Sequence, residues 1–187
     1  MYKLKINVAA LILLGLFSST AISAEKDSGV CVFGNETVDS VVCYGPTVMK
    51  QTIVKGDIKV VGTLRAENIS ARNLQVQGAV ELRNTLISQT TKITGTLTAT
   101  NVEFKQGIAV ESDSVILINT KVNGMVTITS PIHNPYLQVQ CGTVITGAVL
   151  FDGKAGVIQQ TGGTLIGNIS NGSKERIERQ CAALSSS

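Results

Sequence analysis

The sequence predicts an all-β fold: a right-handed parallel β-helix, a solenoid of about seven short coils closed by a short C-terminal capping helix. Three observations predict it. The first is a phrase that recurs between residues 56 and 167, a Gly (once an Asp) followed at +2 and +4 by apolar residues. It reads Gly56-Ile58-Val60, Gly62-Leu64-Ala66, Gly78-Val80-Leu82 and Gly95-Leu97-Ala99, then Asp113-Val115-Leu117, Gly124-Val126-Ile128 and Gly147-Val149-Phe151, and decays at Gly163-Leu165-Gly167. A fixed-offset repeat means units that bury their apolar faces on one another, and the +2/+4 alternation is a strand period.

The second observation is a register of Asn residues. Asn68, Asn84, Asn101 and Asn119 each stand six positions after a phrase start, at spacings of 16, 17 and 18 residues. That is about the length of one turn of a compact three-sided coil. Asn accepts left-handed backbone and caps turns with its own amide, so these residues read as corners, stacked into an internal ladder. The third is composition: Trp is absent, aromatics are 4%, and 18 of 187 residues are Gly. Aliphatic side chains suit a narrow core whose rungs lie about 4.8 Å apart, whereas bulky rings would not fit between them.

Each element follows in chain order. Lys3 and Lys5 precede an apolar run from Ile6 to Phe17 and a small-residue stretch ending at Ala24. These are the parts of a secretory signal peptide over 1–24, too short for a spanning helix, with cleavage after Ala24 or one residue earlier. Residues 25–52 hold Cys31 and Cys43 around a turn-rich segment and read as a disulfide-closed N-terminal cap. Residues 53–172 are the parallel β-helix. Its apolar row is expected to stack Leu64, Val80, Leu97, Val115, Val126, Val149 and Leu165 on one inward line. Residues 173–187 read as the capping helix and tail. Ser173 would cap it, Glu175 would suit its first turn, and Ile177, Cys181 and Leu184 would share one face over the last coil.

Four cysteines in an exported chain imply two disulfides. Cys31–Cys43 and Cys141–Cys181 are preferred, because the other pairings join opposite ends of a rod. Each closure is worth about 3–4 kcal/mol by loop entropy. No Cys-x-x-Cys spacing occurs, and no metal or other cofactor is expected.

Charge excludes one class of function. Of 16 Lys and Arg against 13 Asp and Glu, two Lys lie in residues 1–24, leaving 14 against 13 and a net charge of +1. Nucleic-acid binding needs clustered cations and stacking rings, and neither is present. Catalysis has little to stand on. Glu111 and Asp113 are the one close carboxylate pair in the coils and read as a solvated corner, and His133, the single His, has no second His for a metal site. Outward Thr rows (Thr96, Thr98, Thr100; Thr127, Thr129) are interrupted by Glu67, Glu81 and Arg83, so ordinary β-propensity accounts for them. One coil is lengthened, with 23 residues from Gly124 to Gly147. Its insert around Pro131, His133, Asn134 and Tyr136 should protrude, and reads either as a recognition loop or as a tolerated insertion.

Rungs such as Gly62-Thr-Leu-Arg-Ala66 and Gly95-Thr-Leu-Thr-Ala99 resemble those of the polymer-forming bactofilin-type β-helices and of secreted β-helix proteins of Gram-negative bacteria. The resemblance covers residues 53–170 and implies the fold. Bactofilins are cytoskeletal and polymerise through uncapped ends; this chain departs from them by its signal peptide, its four cysteines and its expected cap. The sequence therefore reads as a secreted or periplasmic, non-enzymatic structural or surface-interaction module, monomeric, with no membrane insertion once the leader is removed, and with an unidentified protein or glycan partner. Two alternatives stay open: a polysaccharide-binding or polysaccharide-cleaving β-helix, and a polymer-forming exported scaffold.

Overall fold

A computed structural model describes residues 23–26, 29–161, 164–178 and 181, with side chains from residue 29 onward. The expected leader, apart from its last two residues, and the end of the tail lie outside these residues. Among the described residues every strand pairing is parallel, and the strands form three sheets that run the length of one solenoid of about eight turns. Face 1 holds nine strands, from Ser23–Lys26 to Ile169–Ser170; face 2 holds nine, from Cys31–Gly34 to Gly172–Arg176; face 3 holds eight, from Thr37–Val38 to Leu165–Ile166.

One coil shows how the sequence builds this. Residues 57–71 give Asp57–Val61 on face 1, Leu64–Glu67 on face 2 and Ser70–Ala71 on face 3. Alternation turns Ile58, Val60, Leu64, Ala66 and Ala71 inward, each at most 5% exposed. Two corner types join the faces. Between faces 1 and 2 sits Gly62, stacked with Gly45, Gly78 and Gly95. A Cβ on Gly78 would lie 1.9 Å from the Gly62 carbonyl oxygen, so the coils approach at a distance only glycine permits. Between faces 2 and 3 runs the Asn corner. Asn35, Gln51, Asn68, Asn84, Asn101, Asn119 and Cys141 all take left-handed backbone, with φ from 46° to 56°.

The Asn ladder exists, but on the outside. Asn101 Nδ2 donates to Asn84 Oδ1 at 3.1 Å, and Asn119 Nδ2 donates to Asn101 Oδ1 at 2.8 Å. A residue turning a corner in left-handed backbone presents its amide to solvent, and the residue after it points in: Thr52, Ile69, Thr85, Val102 and Thr120 are buried. The buried hydroxyls are satisfied by main-chain carbonyls, Thr85 Oγ1 to Arg83 at 2.9 Å and Thr120 Oγ1 to Ile118 at 3.0 Å.

The single inward row divides. Leu64, Val80, Leu97 and Val115 are stacked on face 2 and continue into Leu137 and Ile158. Val126 and Val149 are stacked on face 1, while Leu165 lies on face 3 and is 68% exposed. The same Gly-led phrase opens strands of different faces: Gly62, Gly78 and Gly95 precede face 2, whereas Gly56, Gly124 and Gly147 stand at the third corner, before face 1, where Arg72 and Gln89 occupy the intervening coils. Rings do enter the core: Phe104 and Phe151 are fully buried. Gly156 and Gly172 make room for Phe151, since a Cβ on either would lie 2.1 or 2.6 Å from its ring.

The N-terminal segment 25–52 is not a separate cap. Its strands Cys31–Gly34, Thr37–Val38, Ser40–Tyr44 and Thr47–Lys50 belong to the three sheets, which raises the coil count. Both disulfides form as expected, Cys31–Cys43 and Cys141–Cys181. The first lies inside the core, with Cys31 2% and Cys43 1% exposed, bridging inward positions of faces 2 and 1. Ser23–Lys26 pairs with Ser40–Cys43, so the expected cleavage after Ala24 would leave Glu25 and Lys26 in register with Val42 and Cys43.

The C-terminal helix is replaced by strand. Gly172–Arg176 continues face 2 beside Gly156–Gln160, and the Ile177 N–H bonds to the Gln160 carbonyl at 2.9 Å. A preformed strand offers a partner to every other backbone group, whereas an isolated helix of this length is marginal. Residues 179, 180 and 182–187 of the expected helix lie outside the described ones. Lys174 follows Ile158 and Arg176 follows Gln160 in register, so among the described residues the inward columns of face 2 end on two exposed cations. Charge at inward register is a recognised block to edge pairing.

Candidate functional site

In most coils two residues join faces 1 and 2. Between Val126–Ser130 and Tyr136–Gln140 there are five, residues 131–135, and they project from the rod. Pro131, Ile132, His133 and Asn134 are exposed, Ile132 at 74%, while Pro135 is buried at the loop base. Main-chain bonds fix both neighbours: Tyr136 N–H to the Asp113 carbonyl one coil below at 3.0 Å, and Val157 N–H to the Pro135 carbonyl at 2.9 Å. Tyr136 opens the face 2 strand with 41% of its surface exposed.

Asp113 holds the loop. Its Oδ1 accepts from the Ser130 hydroxyl at 2.5 Å, and its Oδ2 lies 2.8 Å from His133 Nδ1. The Ser130 Oγ also lies 2.9 Å from the His133 carbonyl oxygen. The Ser130 hydroxyl beside Asp113 holds its carboxyl below the usual range; partial desolvation opposes this, and the His133 bond adds to it. Below the loop, Ser112 stands where the glycine column places Gly95 one coil earlier. Its Oγ donates to the Ser114 carbonyl at 2.9 Å and accepts the Ser114 N–H at 3.0 Å. Corner and loop are thus both pinned by short polar side chains.

The order of groups in this cluster differs from that of a nucleophilic triad. A nucleophilic serine needs a base on its own proton and an acid behind that base. Here the carboxylate sits in the middle, between a serine that is 1% exposed and a histidine at the surface. The Ser130 hydroxyl has two acceptors in reach, Asp113 Oδ1 and the His133 carbonyl oxygen. Glu111, the other member of the sequence pair, points out from face 1, with Thr94 Oγ1 at 3.5 Å. Both oxygens of Asp113 are engaged by the loop, Oδ1 by Ser130 and Oδ2 by His133.

The structure keeps together what the sequence marked as a possible recognition loop: Pro131, His133, Asn134 and Tyr136 lie on one exposed projection. It adds Ile132, Ser130 and Asp113. The signal for Asp113 was present, since it is the one non-glycine opener of the recurring phrase and precedes the lengthened coil. The Thr rows separate, with Thr98 and Thr100 on face 2 in register with Glu81 and Arg83, and Thr127 and Thr129 on face 1. Glu81 is bridged by Arg83 at 2.8 Å and Arg65 at 2.9 Å; the Arg83 hydrogen bond foremost, with Arg65 adding to it, holds its carboxyl below the ordinary range despite some desolvation. Compared with protein-family models, with curated proteins and with solved structures, the chain shows no match to any of them.

Proposed function

We propose that the chain is an exported, non-enzymatic structural or surface-interaction module: a right-handed parallel β-helix that presents the 131–136 loop to a protein or glycan partner outside the cytoplasm. One observation carries this. The longest corner among the described coils of a regular rod is this one, and it is clamped by Asp113 while holding Ile132 74% exposed. A rigid scaffold that fixes an exposed apolar residue at the tip of a loop supports recognition. Two disulfides support an oxidising compartment, and the Lys3-to-Ala24 leader pattern supports export by a Gram-negative type signal peptide. Right-handed winding is supported by the drift of coil length and by the general hand of parallel crossovers. Lys174 and Arg176 at the last inward positions favour a monomer over the polymer-forming alternative.

The test is retention on the cell envelope. The wild-type protein should cosediment with envelope material of its source cells. Ile132→Asp and Tyr136→Ala variants, shown by circular dichroism to be folded, should pass into the soluble exported fraction. Equal retention of wild type and variants would remove the loop from the account.

A further inference from the structure

Face 1 carries an outer column that the fold does not use. Lys59, Gln75 and Lys92 stand in register on three consecutive strands, followed by Ala109 and Thr127. With neighbouring strands about 4.8 Å apart, the two lysine positions are about 10 Å apart along the rod. The corner beside this column runs Asp57, Asn73, Thr90, Gly107, Met125. Asn73 donates to Asp57 Oδ1 at 2.7 Å and accepts from the Thr90 N–H at 3.0 Å and hydroxyl at 2.6 Å, so this wall is braced. At Gly107 and Ala109 both columns shrink, leaving an open groove of about 830 Å³ with Met125 on its far side.

Five other cations of the middle coils are paired, Lys55 with Asp39, Arg65 and Arg83 with Glu81, Lys105 and Lys121 with Glu103, while Lys50 and Arg72, which do not line the groove, have no ion pair among the described residues. Lys59 and Lys92 are exposed and have neither an ion-pair nor a hydrogen-bond partner among the described residues. Two free ammonium groups flank an amide that can both donate and accept. We propose that this groove binds an acidic polysaccharide lying along the rod axis. Carboxylates on alternate sugars meet Lys59 and Lys92, and hydroxyls of the sugar between them meet Gln75. The spacing of the two lysines is close to the length of an extended disaccharide. A peptide fits less well, because peptides join sheets at edges, and every face 1 strand around the groove is already paired on both sides.

This inference rests on the reading of the chain as an extracytoplasmic interaction module but uses a different surface from the loop, so the two fail separately. Ile132→Asp should leave groove binding intact. The test titrates the oxidised full-length protein with oligogalacturonate of defined length, with its methyl ester and with oligoglutamate. The acidic glycan should bind, with affinity falling as salt rises, and the ester and the peptide should bind at least about tenfold more weakly. Lys59→Gln/Lys92→Gln should lose about tenfold in affinity for the acidic glycan; Lys59→Arg/Lys92→Arg and the control Lys154→Gln should retain it. Equal binding of the ester or of oligoglutamate, or an unchanged Lys59→Gln/Lys92→Gln variant, would overturn the proposal.

Discussion

Replacing Gly78 by alanine tests the glycine column, the feature that sets how closely the coils stack. Two effects add. Gly78 has φ +142°, a region that side-chain-bearing residues rarely occupy; holding alanine there costs about 1–3 kcal/mol. The new Cβ would also lie 1.9 Å from the Gly62 carbonyl oxygen, against a floor near 3.0 Å, so the corner must open by about 1.1 Å. Opening strains the bonds on either side, Gly62 N–H to Gln77 and Gly78 N–H to Thr94, each at 2.8 Å. A lost main-chain bond costs about 0.5–1.5 kcal/mol net. The expected destabilisation is therefore on the order of 3–5 kcal/mol, high for a single methyl group. Gly34→Ala is the control: a Cβ there meets nothing within 4 Å, and its φ lies outside the left-handed region. It should change stability by less than about 1 kcal/mol. Urea unfolding followed by far-ultraviolet circular dichroism measures both. A Gly78→Ala protein within about 1 kcal/mol of wild type would refute the close-stacking argument.

Three further outcomes are expected. Leu97→Asp places a charge between Val80 and Val115 at a position 1% exposed, and should lower stability by more than about 4 kcal/mol or prevent folding, read as loss of the unfolding transition. Lys174→Val/Arg176→Val removes the charges that end the face 2 columns, and should convert a monomer into end-to-end assemblies visible by size-exclusion light scattering and negative stain; an unchanged monomer would mean that the closure lies elsewhere. The Asp113 clamp should depend on pH with a defined sign. Its carboxyl is lowered in the folded state, so its contribution is complete above the unfolded value of about 3.9 and is lost as pH falls through the lower folded value. Proteolysis within 131–135 should accelerate only in that acid range, and Asp113→Asn should show the fast rate at neutral pH.

The course of the chain was largely legible because it is local. Alternation along Asp57–Val61 or Leu64–Glu67 sets which residues face in, and Asn68, Asn84, Asn101 and Asn119 mark corners by their own backbone preference. The assignment of strands to faces was not legible, since Gly56, Gly124 and Gly147 lead into face 1 with the same phrase that Gly62, Gly78 and Gly95 use for face 2. The first coils were hidden because Cys31, Cys43 and Thr47 occupy core positions that elsewhere hold aliphatic residues. The tail was misread for the opposite reason: the spacing of Ile177, Cys181 and Leu184 suits a helix, but partners from Gly156–Gln160 decide its first turn. The Asp113–Ser130–His133 cluster joins residues 17 and 20 positions apart, which only the stacking of coils brings together.

The claim on which the rest depends is that this is a disulfide-closed rod working outside the cytoplasm. Its most direct test is thiol trapping on fractionated source cells, followed by non-reducing peptide mapping. The protein should be found in the periplasmic, envelope or medium fraction, with its leader removed near Ala24, no alkylated cysteine, and two linked peptide pairs, Cys31 with Cys43 and Cys141 with Cys181. Recovery from the cytoplasm with free, alkylated cysteines, or a Cys31–Cys181 peptide joining the two ends, would contradict it.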